Sequence, residues 1–94
     1  MLVLGKNILA VYMVAHADVR GVLGSWLAEA ESAQWTTPQD IKARYRSADI
    51  LPENRVIFNI GGNKHRLVVK VKYSHGTVLV EWIGTHAEYS KKKW

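Results

Sequence analysis

The sequence predicts an α+β protein in which two or three N-terminal helices pack on a small antiparallel sheet. The order is β-α-α-(α)-β-β-β, with a short helical segment at the C-terminal end. Three observations lead there. Residues 18–30 place apolar side chains at helical spacing. Residues 54–83 alternate between two classes of side chain and are punctuated by Gly and Asn. The chain has 94 residues and is 48% hydrophobic, enough for one modest core and too apolar for a mostly disordered chain. No repeat or linker divides it, so residues 1–94 are expected to form a single domain.

Leu2-Val3-Leu4 suits a short first strand. A helix follows through Ile8, Leu9, Val11, Tyr12 and Ala15, apolar over most of its surface and therefore expected to be well buried. Asp18 is placed to cap a second helix. In it Val19, Val22, Leu23, Trp26, Leu27 and Ala30 line one face at i, i+3, i+4, i+7, i+8 and i+11. Thr37-Pro38-Gln39-Asp40 opens a third, short helix. Thr37 is its cap, Pro38 sits where a missing N–H costs nothing, and Asp40 complements the helix dipole. Ile41 and Tyr45 should point inward, leaving Lys42, Arg44 and Arg46 to solvent or phosphate.

Gly61-Gly62-Asn63 and His75-Gly76 are hairpin signals, because such turns use positive φ, which Gly and Asn adopt cheaply. A two-residue turn at His75-Gly76 would pair Val71 with Val80 and Lys70 with Glu81. A two-residue first turn, at Gly61-Gly62 or Gly62-Asn63, sorts all three strands consistently. The core face then holds Val56, Phe58, Ile60, His65, Leu67, Val69, Val71, Tyr73, Val78, Val80 and Trp82. The other face holds Arg55, Ile57, Asn59, Lys64, Arg66, Val68, Lys70, Lys72, Leu79, Glu81 and Ile83. Four branched aliphatics among these cations imply a concave or partly covered surface, which strengthens the field on a phosphate backbone.

Charge points the same way. Thirteen Lys and Arg against eight Asp and Glu give a net +5, which favours an anionic partner. Cysteine is absent, which removes disulfides, thiolate nucleophiles and Cys-based zinc sites. His16, His65, His75 and His86 have no metal-binding spacing, so no metal and no other cofactor is expected. Ile8–Ala15 followed by Ala15-His16-Ala17 has the look of a leader cleavage site. The run is far below the roughly 20 residues of a membrane span, and helix packing accounts for the same residues.

On the cationic face, Lys70 is expected to pair with Glu81, whereas Arg66 has as cross-strand neighbours Thr85 and either Ile57 or Asn59, with no carboxylate to neutralise it. Arg66 thereby lies beside Gly84-Thr85-His86-Ala87-Glu88-Tyr89. A histidine's ordinary pKa of about 6.5 suits proton transfer. Tyr89 would share a side with His86 if the segment turns helically, and a phenol acting as base needs nearby cations such as Arg66, Lys64 and Lys91–Lys93. The residues alone lead to a nucleic-acid-binding groove with an acid/base pair beside it.

The run FNIGGNKHRLVVKV with GTHAEY downstream resembles the signature of the HigB-type toxins of the RelE superfamily, and weaker similarity extends upstream through AHADVRGVLGSWLAEAESAQW and TTPQDIKARY. The resemblance implies a RelE-like fold, a HigA-type helix-turn-helix antitoxin as partner, a cytoplasmic location, and ribosome-dependent cleavage of mRNA. It implies that Arg66 contacts the scissile phosphate, that His86 and Tyr89 serve as acid/base or stacking groups, and that Lys64 binds phosphate. Arg55, Lys70, Lys72, Lys91 and Lys92 are further expected RNA contacts. Trp94 could stack on a base or simply end an untethered tail. The apolar ILAVYMV and the early chain end depart from the family pattern. Two alternatives stay open: a noncatalytic inhibitor of the same fold, for example of gyrase, and a plain nucleic-acid-binding domain.

Overall fold

The apolar periodicities settle into one sheet with three helices on one side of it, in a computed structural model that describes residues 1–92. The order is β1 (Leu2–Leu4), α1 (Lys6–Ala15), α2 (Arg20–Ser32), α3 (Pro38–Arg44), β2 (Asp49–Leu51), β3 (Arg55–Ile60), β4 (His65–Lys72), β5 (Thr77–Thr85) and α4 (His86–Ser90). Across the sheet the strands run β1-β5-β4-β3-β2. The α+β reading therefore holds, with one amendment: β1 lies parallel to β5, so the sheet is mixed. The short edge strand β2 was not foreseen. The readings of Lys93 and Trp94 lie outside the described residues.

Thr37 caps α3 as expected, in a reciprocal box with Asp40, and Ile41 is fully buried. The second helix starts differently. Asp18 sits in a 3₁₀ turn (Ala17–Val19), and α2 opens at Arg20 without a side-chain cap. Asp18 spends its carboxylate on His65 instead, 3.1 Å away. Helix α1 corrects a second expectation. It is not well buried: Leu9 is its one buried residue, while Val11 and Val14 are 72% and 81% exposed. A short helix lying on a sheet presents only one stripe to it, whatever the composition of the rest. Gly5 sets the angle of α1, with φ of +84° and so close an approach that a Cβ there would lie 2.9 Å from the Val80 carbonyl oxygen.

The core lies between the helices and one face of the sheet. Leu9, Leu23, Trp26, Trp35 and Ile41 meet Val56, Phe58, Ile60, Leu67, Val69, Val71, Val78 and Val80. Phe58 is its centre, with the rings of Trp26, Tyr45 and Trp35 at 5.3, 5.0 and 6.3 Å. Burying each such side chain is worth about 1.5–3 kcal/mol.

The β3–β4 pairing, Ile60 with His65 and Phe58 with Leu67, is the register of a turn at Gly62-Asn63. The β4–β5 pairing corrects two expectations. The connection is a four-residue loop with a 3₁₀ turn at Tyr73–His75, so Val71 pairs with Val78 rather than Val80, and Lys70 with Leu79 rather than Glu81. Further along, Val69 pairs with Val80 but Val68 with Trp82, leaving Glu81 as the extra residue of a β-bulge. The bulge exchanges the faces of the two residues after it. Ile83, expected on the cationic face, joins the core, and Trp82, expected in the core, turns to the open face.

Candidate catalytic site on the open face of the sheet

Four cross-strand rows build the open face, the outermost being Leu2, Thr77 and Lys72. Leu51, Arg55, Lys70, Leu79 and Leu4 form one, Asp49, Ile57, Val68 and Trp82 the next, and Asn59, Arg66 and Gly84 the last. Ile57 and Val68 are 1% and 0% exposed although they stand outside the core cluster, so this face has an apolar floor of its own. A floor of that kind keeps water from screening the charges above it.

Arg66 is brought together with His86 and Tyr89. Its Nη2 donates to His86 Nε2 at 3.2 Å, and its guanidinium carbon lies 4.8 Å from the centre of the Tyr89 ring. Arginine has no acceptor atom, so this hydrogen bond makes Nε2 the acceptor and leaves the imidazole proton on Nδ1. Local capping holds the arrangement. Thr85 Oγ1 accepts from the Glu88 backbone N–H at 3.1 Å, and Glu88 Oε1 accepts from the Thr85 N–H at 2.8 Å. These bonds start α4 directly after β5, and the His86 N–H donates to the Lys64 carbonyl at 3.0 Å. His86 and Tyr89, three residues apart on one turn, then reach the same guanidinium.

Two neighbours of Arg66 were not anticipated. In place of Thr85, Gly84 stands opposite it. A carboxylate is present after all: Asp49 Oδ2, on edge strand β2, is 3.6 Å from Nη1. Asn59, the other cross-strand neighbour, donates to the Ser47 carbonyl at 3.0 Å and so ties down the segment that carries Asp49. A strand at Asp49–Leu51 could have been found from the apolar Ile50-Leu51 ahead of the turn Pro52-Glu53-Asn54. Gly84, an isolated glycine within a strand, was itself a signal of close approach.

The remaining cations are dispersed. The Arg55 Nε donates to Glu81 at 2.8 Å, with Glu53 3.6 Å from its Nη1, so Glu81 pairs with Arg55 and not with Lys70 as expected. Lys70 and Lys72 instead border a small cavity with Leu4, Thr77 and Leu79. Lys64 and Lys91 are exposed around α4, and Lys92 Nζ lies 5.3 Å above the Trp82 ring. Among the described residues no group of three or more His, Asp or Glu side chains could hold a metal ion.

On the helical side of the same strand start, the Tyr12 hydroxyl meets His65 Nδ1 at 2.6 Å and His65 Nε2 meets Asp18 at 3.1 Å. Burial, followed by the charges of Glu88 and Asp18, pushes the Tyr12 phenol up to about 12. A phenol held that way donates rather than ionises.

Three helices on one face of a small sheet, with an arginine, a histidine and a tyrosine gathered on the other, define a RelE-like protein. The chain belongs to the HigB toxin family: the family model, described as a RelE-like toxic component of a toxin-antitoxin system, matches residues 19–92. It is thus the toxin of such a system, and its partner is an antitoxin. No curated protein matches the chain. Among the described residues no helix is long and apolar enough to cross a membrane.

Proposed function

We propose that this toxin is a ribosome-dependent endoribonuclease that cleaves mRNA through attack by a ribose 2′-hydroxyl. The observation that carries this reading is the contact between Arg66 and His86 on the open face, with Tyr89 packed against the guanidinium. In the mechanism a phosphodiester takes Arg66, whose guanidinium turns from His86 toward the phosphoryl oxygens. That movement exposes the Nε2 lone pair to the 2′-hydroxyl. The base, His86 or alternatively Tyr89, accepts the 2′-proton as the 2′-oxygen bonds to the adjacent phosphorus. The bond from phosphorus to the 5′-oxygen breaks, and a second group protonates that oxygen. The products are a 2′,3′-cyclic phosphate and a 5′-hydroxyl. Stabilisation of the phosphoryl charge by a preorganised donor contributes on the order of 10²–10³ in rate.

Lys64, Arg55, Lys70, Lys72, Lys91 and Lys92 would supply the surrounding positive field along the message. In this reading the toxin works in the cytoplasm, where ribosomes translate, and a HigA-type helix-turn-helix protein is its antitoxin. The test is primer extension on a translated mRNA with purified ribosomes. Cuts that require translation and vanish in Arg66→Ala and His86→Ala are expected. Persistent cutting in the double variant overturns the mechanism, and growth arrest without cleavage turns the reading to a noncatalytic inhibitor.

A further inference from the structure

Trp82 has no part in the mechanism above, yet the fold goes to some length to place it. The bulge at Glu81, opposite Val68 and Val69, turns its side chain from the core to the open face, where it is half-buried. Its indole then lies across Gly84, so closely that a Cβ on residue 84 would fall 2.4 Å from Cζ2 and Cη2. Gly84 is the residue opposite Arg66. The ring therefore occupies the space that a side chain beside the arginine would otherwise fill. Tyr89 links the two, with its ring 6.2 Å from that of Trp82 and 4.8 Å from the Arg66 guanidinium. Lys92 stands over the indole.

We propose that Trp82, seated on Gly84, is a nucleobase subsite: it stacks the base of a nucleotide flanking the phosphate held by Arg66. The subsite rests on the reading of this face as an RNA site. The chemistry fits in three respects. An indole offers the largest π-surface of any side chain, and every base has a π-face to lay on it. The platform overlies Gly84, the residue opposite the arginine, so a base flanking the bound phosphate lies close to it. Lys92, now over the ring, turns to the phosphate of the stacked nucleotide as the base takes its place. Stacking reads area rather than hydrogen-bond pattern, so the subsite favours purines and rejects no base outright.

Two measurements separate this subsite from the reading it rests on. The first is binding of a labelled single-stranded RNA to the purified toxin, followed by fluorescence anisotropy. Trp82→Phe should stay within about 3-fold of the parent chain, and Trp82→Leu should weaken binding about 5- to 150-fold. Circular dichroism checks that both variants fold. Unchanged binding in a folded Trp82→Leu chain, or no RNA binding by the parent chain, overturns the subsite. Should the Leu variant not fold, photocrosslinking of 4-thiouridine RNA to the parent chain decides. Attachment at Trp82 supports the subsite, and attachment only elsewhere overturns it. The second measurement is the ribosomal cleavage assay with a purine or a pyrimidine beside the cut bond. Its failure in the parent chain counts against nuclease activity while leaving the binding result to judge the subsite.

Discussion

Tyr12 and His65 are joined by a 2.6 Å hydrogen bond that ties α1 to the first residue of β4, immediately before Arg66. The imidazole is 4% exposed, with Asp18 on its other nitrogen. A phenol held protonated donates to Nδ1, and Nε2–H donates to the carboxylate. Tyr12→Phe leaves a buried ring nitrogen without its partner, at a cost of about 1–3 kcal/mol. Urea denaturation should show that loss as a lower midpoint with an unchanged slope.

Acid should weaken the fold through identifiable carboxylates. The hydrogen bond from His65 holds Asp18 below the usual carboxylate range. Backbone N–H groups of Thr36 and Thr85 do the same for Asp40 and Glu88. A lowered folded pKa means that the ionised form is favoured by folding. The resulting stability is present above the unfolded pKa of about 4 and is lost as pH falls through the folded values. Urea midpoints should therefore stay level in these contributions from about pH 7 to pH 5 and drop below about pH 4. In Asp40→Asn that drop should be smaller. An equal drop would remove the helix-cap explanation.

If Arg66 takes a phosphate as proposed, Asp49, 3.6 Å from its Nη1, competes with RNA for it. The ion pair is long, and the carboxylate side is 53% exposed, so it holds the guanidinium weakly, by about 0–1 kcal/mol. In Asp49→Asn a phosphate displaces nothing charged. RNA affinity should rise up to about 5-fold, with stability nearly unchanged. Filter binding over a salt series checks this, and weaker binding would show that Asp49 chiefly orients Arg66.

Thr85 joins the last strand to the segment carrying His86 and Tyr89. Thr85→Ala removes one half of the reciprocal cap and should cost about 1 kcal/mol of stability. If His86 or Tyr89 is the base as proposed, activity should fall further than stability, about 10-fold or more, because a displacement near 1 Å is enough to misplace it. Cleavage assays beside thermal melts separate the two effects. Equal activity in the folded variant would mean that α4 does not position the chemistry.

Much of this architecture could be read from letters whose physics is local. Thr37 and Asp40 make their box within one turn, and Gly62-Asn63 fixes a register in which Arg66 must face away from Leu67 and His65. The arrangement around Arg66 was only half legible. His86 and Tyr89 follow from helical spacing, but Asp49 comes from across two strands and from a strand only three residues long. The bulge was illegible for a clearer reason: Trp82 and Ile83 are both apolar, so alternation cannot choose which one faces the core. Helix α1 misled because composition reports what a surface is made of and not how much of it finds a partner. The Tyr12, His65 and Asp18 chain joins residues 47 and 53 apart in sequence, where no spacing rule applies.

Glu81, the bulge residue, divides β5 into two stretches that answer to different demands. Ahead of it, Val78 and Val80 are chosen by the helices. Beyond it, the facing of Trp82, Gly84 and Thr85 is set afresh by a one-residue slip. A chain lacking Glu81 would reach the same outward indole by an uninterrupted ladder, giving up the nearer of the Arg55 carboxylate partners. The slip uncouples the two halves, so substitutions that retune the hydrophobic interior need not reorient the end that faces Arg66.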